Sequence, residues 1–210
     1  MKKVFFLFSV ALPLLFSSCQ EDLLPADDIT LQYGEEKRIA DSPYGDMSID
    51  NKFVASINGN LIKGRHVGAT TAVLKDGREI DITVTSKVKS IKEISREWGA
   101  SRSSLINISH LGTFEKSSGT GDIWQSLSED GKILYTYSFT NGALSSSALA
   151  VHKSLVSDLS SYIKERFTLV NSSSILQGGY DADNVDDAET YVGITVLNAN
   201  YYYVAFIPNE

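Results

Sequence analysis

The chain reads as α+β overall: an all-β sandwich first, then a two-layer α+β domain in which helices cover one face of an antiparallel sheet. Three observations predict this. Between Ile29 and Thr85, short alternating apolar runs are broken by Asn58-Gly59, Gly64, Gly68 and Asp76-Gly77, the pattern of short strands and tight turns. Past a boundary at "TSKVKS", residues 85–90, the spacing turns helical at Ile91, Ile94 and Trp98, and again at Leu155, Leu159, Tyr162, Ile163 and Phe167. Around these lie strand-length segments joined by "EDG", "TNG" and Asn198–Asn200 turns, so helices must pack on a sheet.

Taken in order, residues 1–18 come first. Met1, Lys2 and Lys3 are a basic start, and Val4 to Phe16 is an uncharged run of thirteen residues, short of the roughly 20 that a helix needs to span a bilayer. Small Ser17 and Ser18 come next, which completes the anatomy of a secretory signal. Cys19 is the only cysteine. "FSSC" resembles the bacterial lipobox, with Phe16 where leucine is more usual. The resemblance implies that Cys19 becomes a lipidated N-terminus and acts neither in redox chemistry nor in a disulfide. One acyl chain holds a protein marginally and two or more hold it firmly. "QED" at 20–22 resembles the acidic export signal of surface lipoproteins in some Gram-negative bacteria, which implies an outer-membrane, outward-facing address. Residues 19–28 then form an acidic tether.

Removing 18 of the 210 residues leaves 192, with 17 Lys and Arg against 26 acids and a net charge of −9. Nucleic-acid binders need a basic stripe, which this chain lacks, and acidic repulsion opposes lying flat on anionic lipid. Hydrophobic content of 42% and aromatic content of 10% suffice for a core.

Residues 29–86 hold the sandwich. Ile80, Ile82 and Val84 alternate with polar neighbours, as in a strand with one wet face. "VASINGNLIKGRHVGATTAVL" resembles the bacterial Ig-like group 2 family through Val54, Ser56, Ile57, Gly59 or Asn60, Ile62, Gly64, Gly68 and Val73. The resemblance implies a spacer or adhesive module of cell-surface proteins and no catalytic residue.

Residues 87–210 form the second domain. "SIKEISREWG" predicts a helix stopped at Gly99, and Ser101 is positioned to cap a second short helix over "SRSSLINI". Three hairpin-linked strands come next in "DIWQSLS", "KILYTYSF" and "ALSSSALAVH", with Asn141-Gly142 the clearest turn. "SLVSDLSSYIKERF" is an amphipathic helix with Ser154 as its N-cap. Tyr191 to Ile207 gives a C-terminal hairpin.

Chemistry has few candidates. His66 sits in the sandwich between Arg65 and Val67, His110 after a helix end, and His152 at a strand end; none has a zinc-ligand spacing. There is no G-x-S-x-G elbow and no S-x-x-K with its companion motifs. Asp181, Asp183, Asp186 and Asp187 offer oxygen ligands for calcium. The EF-hand template fails, however, at Val185 and Val192, and the run reads as a solvated loop. Trp124, Tyr135, Tyr137, Tyr201 and Tyr203 are the candidate ligand-contact aromatics, because such rings bury area at low entropy cost and keep a polar handle. Ordinary cross-strand packing is the competing reading.

The expected protein is a lipid-anchored, non-catalytic binding or scaffold module for a protein or glycan, with no metal and no cofactor. The alternatives are an envelope hydrolase using His110 or His152, and an inhibitor or assembly factor built on the second domain.

Overall fold

The computed structural model describes residues 28–39, 47–75, 77–105, 113–118, 121–172, 175–180 and 188–209. The readings placed on the signal segment, Cys19, most of the tether, His110 and the four aspartates of the 181–187 run lie outside these residues.

The first part contains β1 (Ile29–Gln32), β2 (Glu36–Arg38), β3 (Ser48–Ile49), β4 (Ala55–Asn58), β5 (Leu61–Gly64), β6 (Gly68–Val73) and β7 (Glu79–Thr85). They form two sheets, ordered β1-β7-β6-β3 and β2-β5-β4, with β1 and β7 parallel. Leu31, Ile62, Ala72, Ile80 and Ile82 from the two sheets meet in one core. Along β7, Ile80, Ile82 and Val84 are buried and Asp81 and Thr83 exposed, as the alternation predicts.

Gly64 is required by close approach. A Cβ there would lie 2.9 Å from the Gln32 carbonyl oxygen and 3.1 Å from a Val84 methyl, so a side chain would push β5 off its neighbours. The β4–β5 turn falls one residue later than "Asn58-Gly59" implies. Asn58 pairs with Leu61 in the ladder, which leaves Gly59 and Asn60 as the turn.

The second part contains β8 (Thr113–Ser118), β9 (Gly121–Leu127), β10 (Ile133–Thr140), β11 (Ala143–His152), α1 (Val156–Lys164), β12 (Thr168–Ser172), β13 (Ile175–Tyr180), β14 (Thr190–Val196) and β15 (Tyr201–Pro208). All eight strands join in one antiparallel sheet, ordered β12-β13-β14-β15-β11-β10-β9-β8. The β10–β11 turn has φ of 53° at Asn141 and 79° at Gly142, the paired positive values of a type I′ hairpin.

One sheet face is packed. Ile133, Tyr135, Tyr137 and Phe139 of β10, Leu149 and Val151 of β11, and Val204 and Phe206 of β15 bury against Leu159, Tyr162 and Ile163 of α1 and against Ile91, Ile94 and Leu105. Each such side chain contributes about 1.5–3 kcal/mol relative to exposure.

Among the described residues the structure is β-rich, with several antiparallel sheets and one nine-residue helix, and it is not plainly a two-layer α+β domain. The helix expected over residues 91–98 is absent. Its backbone groups are used tertiarily instead: Lys92 N–H donates to the Tyr135 hydroxyl (2.9 Å), Ser147 Oγ donates to the Ser95 carbonyl (3.0 Å), and Gly99 N–H donates to the Leu144 carbonyl (3.0 Å). A lone segment of this length makes a marginal helix, so partners on the sheet outcompete its own ladder. Ser101 Oγ does accept from Ser104 N–H (3.2 Å), but residues 102–105 form a turn, and the rest of the helix expected over 101–108 lies outside the described residues. Ser154 is not an N-cap. A 3₁₀ turn, Lys153–Leu155, precedes α1, and His152 caps it. Strands β8, β12 and β13 carry no expectation from the sequence.

Candidate functional site

The strand registers sort the five aromatics. Tyr137 pairs with Trp124, Val151 with Tyr202 and Leu149 with Val204, all on the packed face. Tyr203 pairs with Ala150 and Thr195, Tyr201 with His152, and Ala150 with Leu134, all on the opposite face.

Tyr135 and Tyr137 are therefore core residues, 2% and 0% exposed, and not part of a binding platform. The Tyr135 hydroxyl accepts from Lys92 N–H, and burial pushes its pKa up. Burial raises Tyr137 and Tyr162 further. Trp124 is half-buried on the same side, and the Arg102 guanidinium lies 3.4 Å from its ring centroid, so that cation already occupies the indole face.

Tyr201 and Tyr203 remain, half-exposed on the outer face. Side chains two apart on a strand share a face, and cross-strand partners sit beside one another. This builds two rows across the sheet. One runs Leu127, Leu134, Ala150, Tyr203, Thr195; the other runs Gln125, Thr136, Ala148, Ala205, Gly193. The second is low, since its central members have almost no side chain, and the tyrosines rise beside it. The ends of the face are open, with Leu127 62% exposed and Ile207, on the same side near Tyr191, 47% exposed, while the floor alanines Ala148 and Ala150 are buried (4% and 8% exposed) beneath their neighbours. Sequence reasoning missed Leu127, Leu134 and the alanine and glycine floor. Their signal is the parity of β10, on which Leu134 and Thr136 alternate with Tyr135 and Tyr137.

The histidines have local roles. His66 Nδ1–H donates to the Phe53 carbonyl (2.7 Å), and the two rings stack 3.9 Å apart. Ser154 donates its N–H (3.2 Å) and its hydroxyl (2.9 Å) to His152 Nδ1, while Tyr201 meets the ring edge-on at 5.2 Å. Because the backbone N–H fixes Nδ1 as an acceptor, the Ser154 hydroxyl is the donor, and the pair closes the 3₁₀ turn. Among the described residues no group of three or more His, Cys, Asp or Glu is placed to hold a metal ion.

Compared with protein-family models, curated proteins and solved structures, the chain matches none.

Proposed function

We propose that this chain is a lipid-anchored protein of the bacterial outer membrane, tethered through Cys19 and facing outward, that binds a protein or glycan partner without catalysis. Residues 29–86 serve as an Ig-like spacer of the group 2 type and residues 87–210 as the binding domain, of α+β class. The observation that carries this reading is the outer sheet face, where Tyr201 and Tyr203 stand half-exposed beside a floor of Ala148, Ala150, Ala205 and Gly193. Rigid aromatics flanking a flat, uncharged floor suit sugar rings or a protein's apolar edge.

The anchor is tested by labelling cells with a palmitate analogue: a label that persists in Cys19→Ser sinks it. The binding role is tested by glycan arrays and by pull-downs from envelope and host extracts, with Tyr201→Ala/Tyr203→Ala as the matched control. Signals that do not differ between the two proteins count against the face.

The hydrolase reading draws on the Ser154–His152 contact. It expects the hydroxyl to be a nucleophile, so that a serine-directed fluorophosphonate probe labels Ser154 and His152→Ala abolishes the labelling. The capping geometry predicts no labelling in either protein.

A further inference from the structure

A cleft of about 420 Å³ lies where the two parts of the chain meet, lined by Tyr33, Lys87, Val88, Lys89, Asp158, Ser161, Lys164 and Glu165. That volume falls in the range of small-molecule sites, which favour such junctions. Its walls come from both sides: Tyr33 begins the turn after β1, residues 87–89 come just after β7, and residues 158–165 belong to α1 and its end.

The charges are unequally engaged. Glu165, 3% exposed, accepts the Ser86 hydroxyl and, at 3.3 Å, the Lys87 N–H. Asp158 accepts the Ser90 hydroxyl at 2.5 Å. Both carboxylates are thus occupied as structural acceptors. Among the described residues, none of the Lys87, Lys89 and Lys164 ammoniums lies within salt-bridge distance of a carboxylate. The Lys87 ammonium reaches over the turn after β1, where a side chain at Gly34 would meet it at 3.9 Å. The Lys87 charge also acts on Glu35, which is paired with Lys37 (3.5 Å). In a chain of net charge −7, a concave site lined by three lysines that form no salt bridge among the described residues has a ligand sign opposite to that of the protein.

The lining also limits how much charge fits. Three lysines stand against two carboxylates, a local balance of +1. Lysines act as point charges and impose no phosphate-shaped fork, and no arginine lines the cleft. A single carboxylate balances this lining, whereas a polyphosphate would face the two acids. Tyr33 and Ser161 also line the cleft, residue types that suit the neutral part of a ligand.

We propose that this cleft binds a small organic monoanion of the uronate class, a sugar-sized ring bearing one carboxylate, either free or at the end of a glycan chain. The proposal does not rest on the tyrosine face, and the two sites fail independently.

The test is calorimetric titration of the full chain at low ionic strength with glucuronate, glucose, pyrophosphate, galacturonate and a galacturonate trisaccharide. The expected result is saturable binding of the uronates, none of glucose, and a loss of about tenfold or more in Lys87→Met and Lys164→Met, partly restored in Lys87→Arg. These side chains are exposed, and circular dichroism checks that each variant keeps its fold. Tighter binding of the trisaccharide than of the monomer marks a glycan end as the source; equal affinity marks the free acid. No saturable uronate heat, equal heat with glucose, tighter binding of pyrophosphate, or unchanged affinity in both Met variants would overturn the proposal.

Discussion

Tyr135, Tyr137 and Tyr162 share a chemistry that has a pH signature. Burial disfavours the phenolate, so each has a folded pKa above the ordinary value of 10.0. A raised acid pKa leaves its stabilisation intact below the unfolded value and removes it as pH climbs through the folded one. Stability should therefore hold through neutral pH and fall from about pH 10 upward. Tyrosinate absorbance from Tyr135, Tyr137 and Tyr162 should appear only as circular dichroism reports unfolding. A single smooth rise with no loss of fold would contradict the burial. The same contrast predicts mutational costs. Tyr137→Ala should cost about 3–5 kcal/mol in denaturant unfolding, and Tyr203→Ala within about 1 kcal/mol. Little of this division is legible in the sequence, because Tyr135 and Tyr201 look alike there. Which face each takes depends on strand pairing, β10 with β11 for Tyr135 and β11 with β15 for Tyr201, the latter a contact made far along the chain.

Among the elements, local chemistry decides the hairpins and tertiary contacts decide the rest. The Asn141-Gly142 turn is readable because two positive φ values admit few residues. Asn141→Val should cost about 1–2 kcal/mol through Cβ strain, while Asn141→Gly should be nearly neutral; equal melting temperatures for the two variants would refute the turn assignment. Strands β9, β10, β11, β14 and β15 are readable for the same reason, as alternating runs between clear turns. The unforeseen strands have poorer signals: "TFEKSS" is polar and "ILQGGY" carries two glycines, so the sheet partner supplies what propensity does not. The helical spacing of Ile91, Ile94 and Trp98 misleads because their burial is met by a non-helical path whose amides bond to the sheet, at Leu144 and the Tyr135 hydroxyl, and to the Tyr162 hydroxyl of α1. Ser154 is misplaced for a related reason, since the His152 ring next to it supplies the cap.

At the scale of the whole molecule, Glu165 joins the two parts. Its carbonyl accepts from Val67 N–H (2.7 Å), and its carboxylate takes the Ser86 hydroxyl and the Lys87 N–H. The neighbouring Arg166 is held in the second part by Glu93 (2.6 Å) and by the Tyr162 ring. Glu165→Ala should leave buried donors unpaired at a cost of about 1–3 kcal/mol. It should also speed tryptic cleavage after Lys87 and Lys89; an unchanged cleavage rate would show that other contacts fix the junction. The change of pattern at 85–90 is visible in the sequence, but a buried glutamate near the end of an amphipathic helix looks like any solvated one. The most direct test of a partner-binding protein is quantitative binding of the intact chain and of Tyr201→Ala/Tyr203→Ala to each glycan or protein recovered in the screens. The expected result is an affinity loss of about tenfold or more with melting temperature preserved. Equal affinity in the two proteins, or no partner for the unaltered chain, would contradict it.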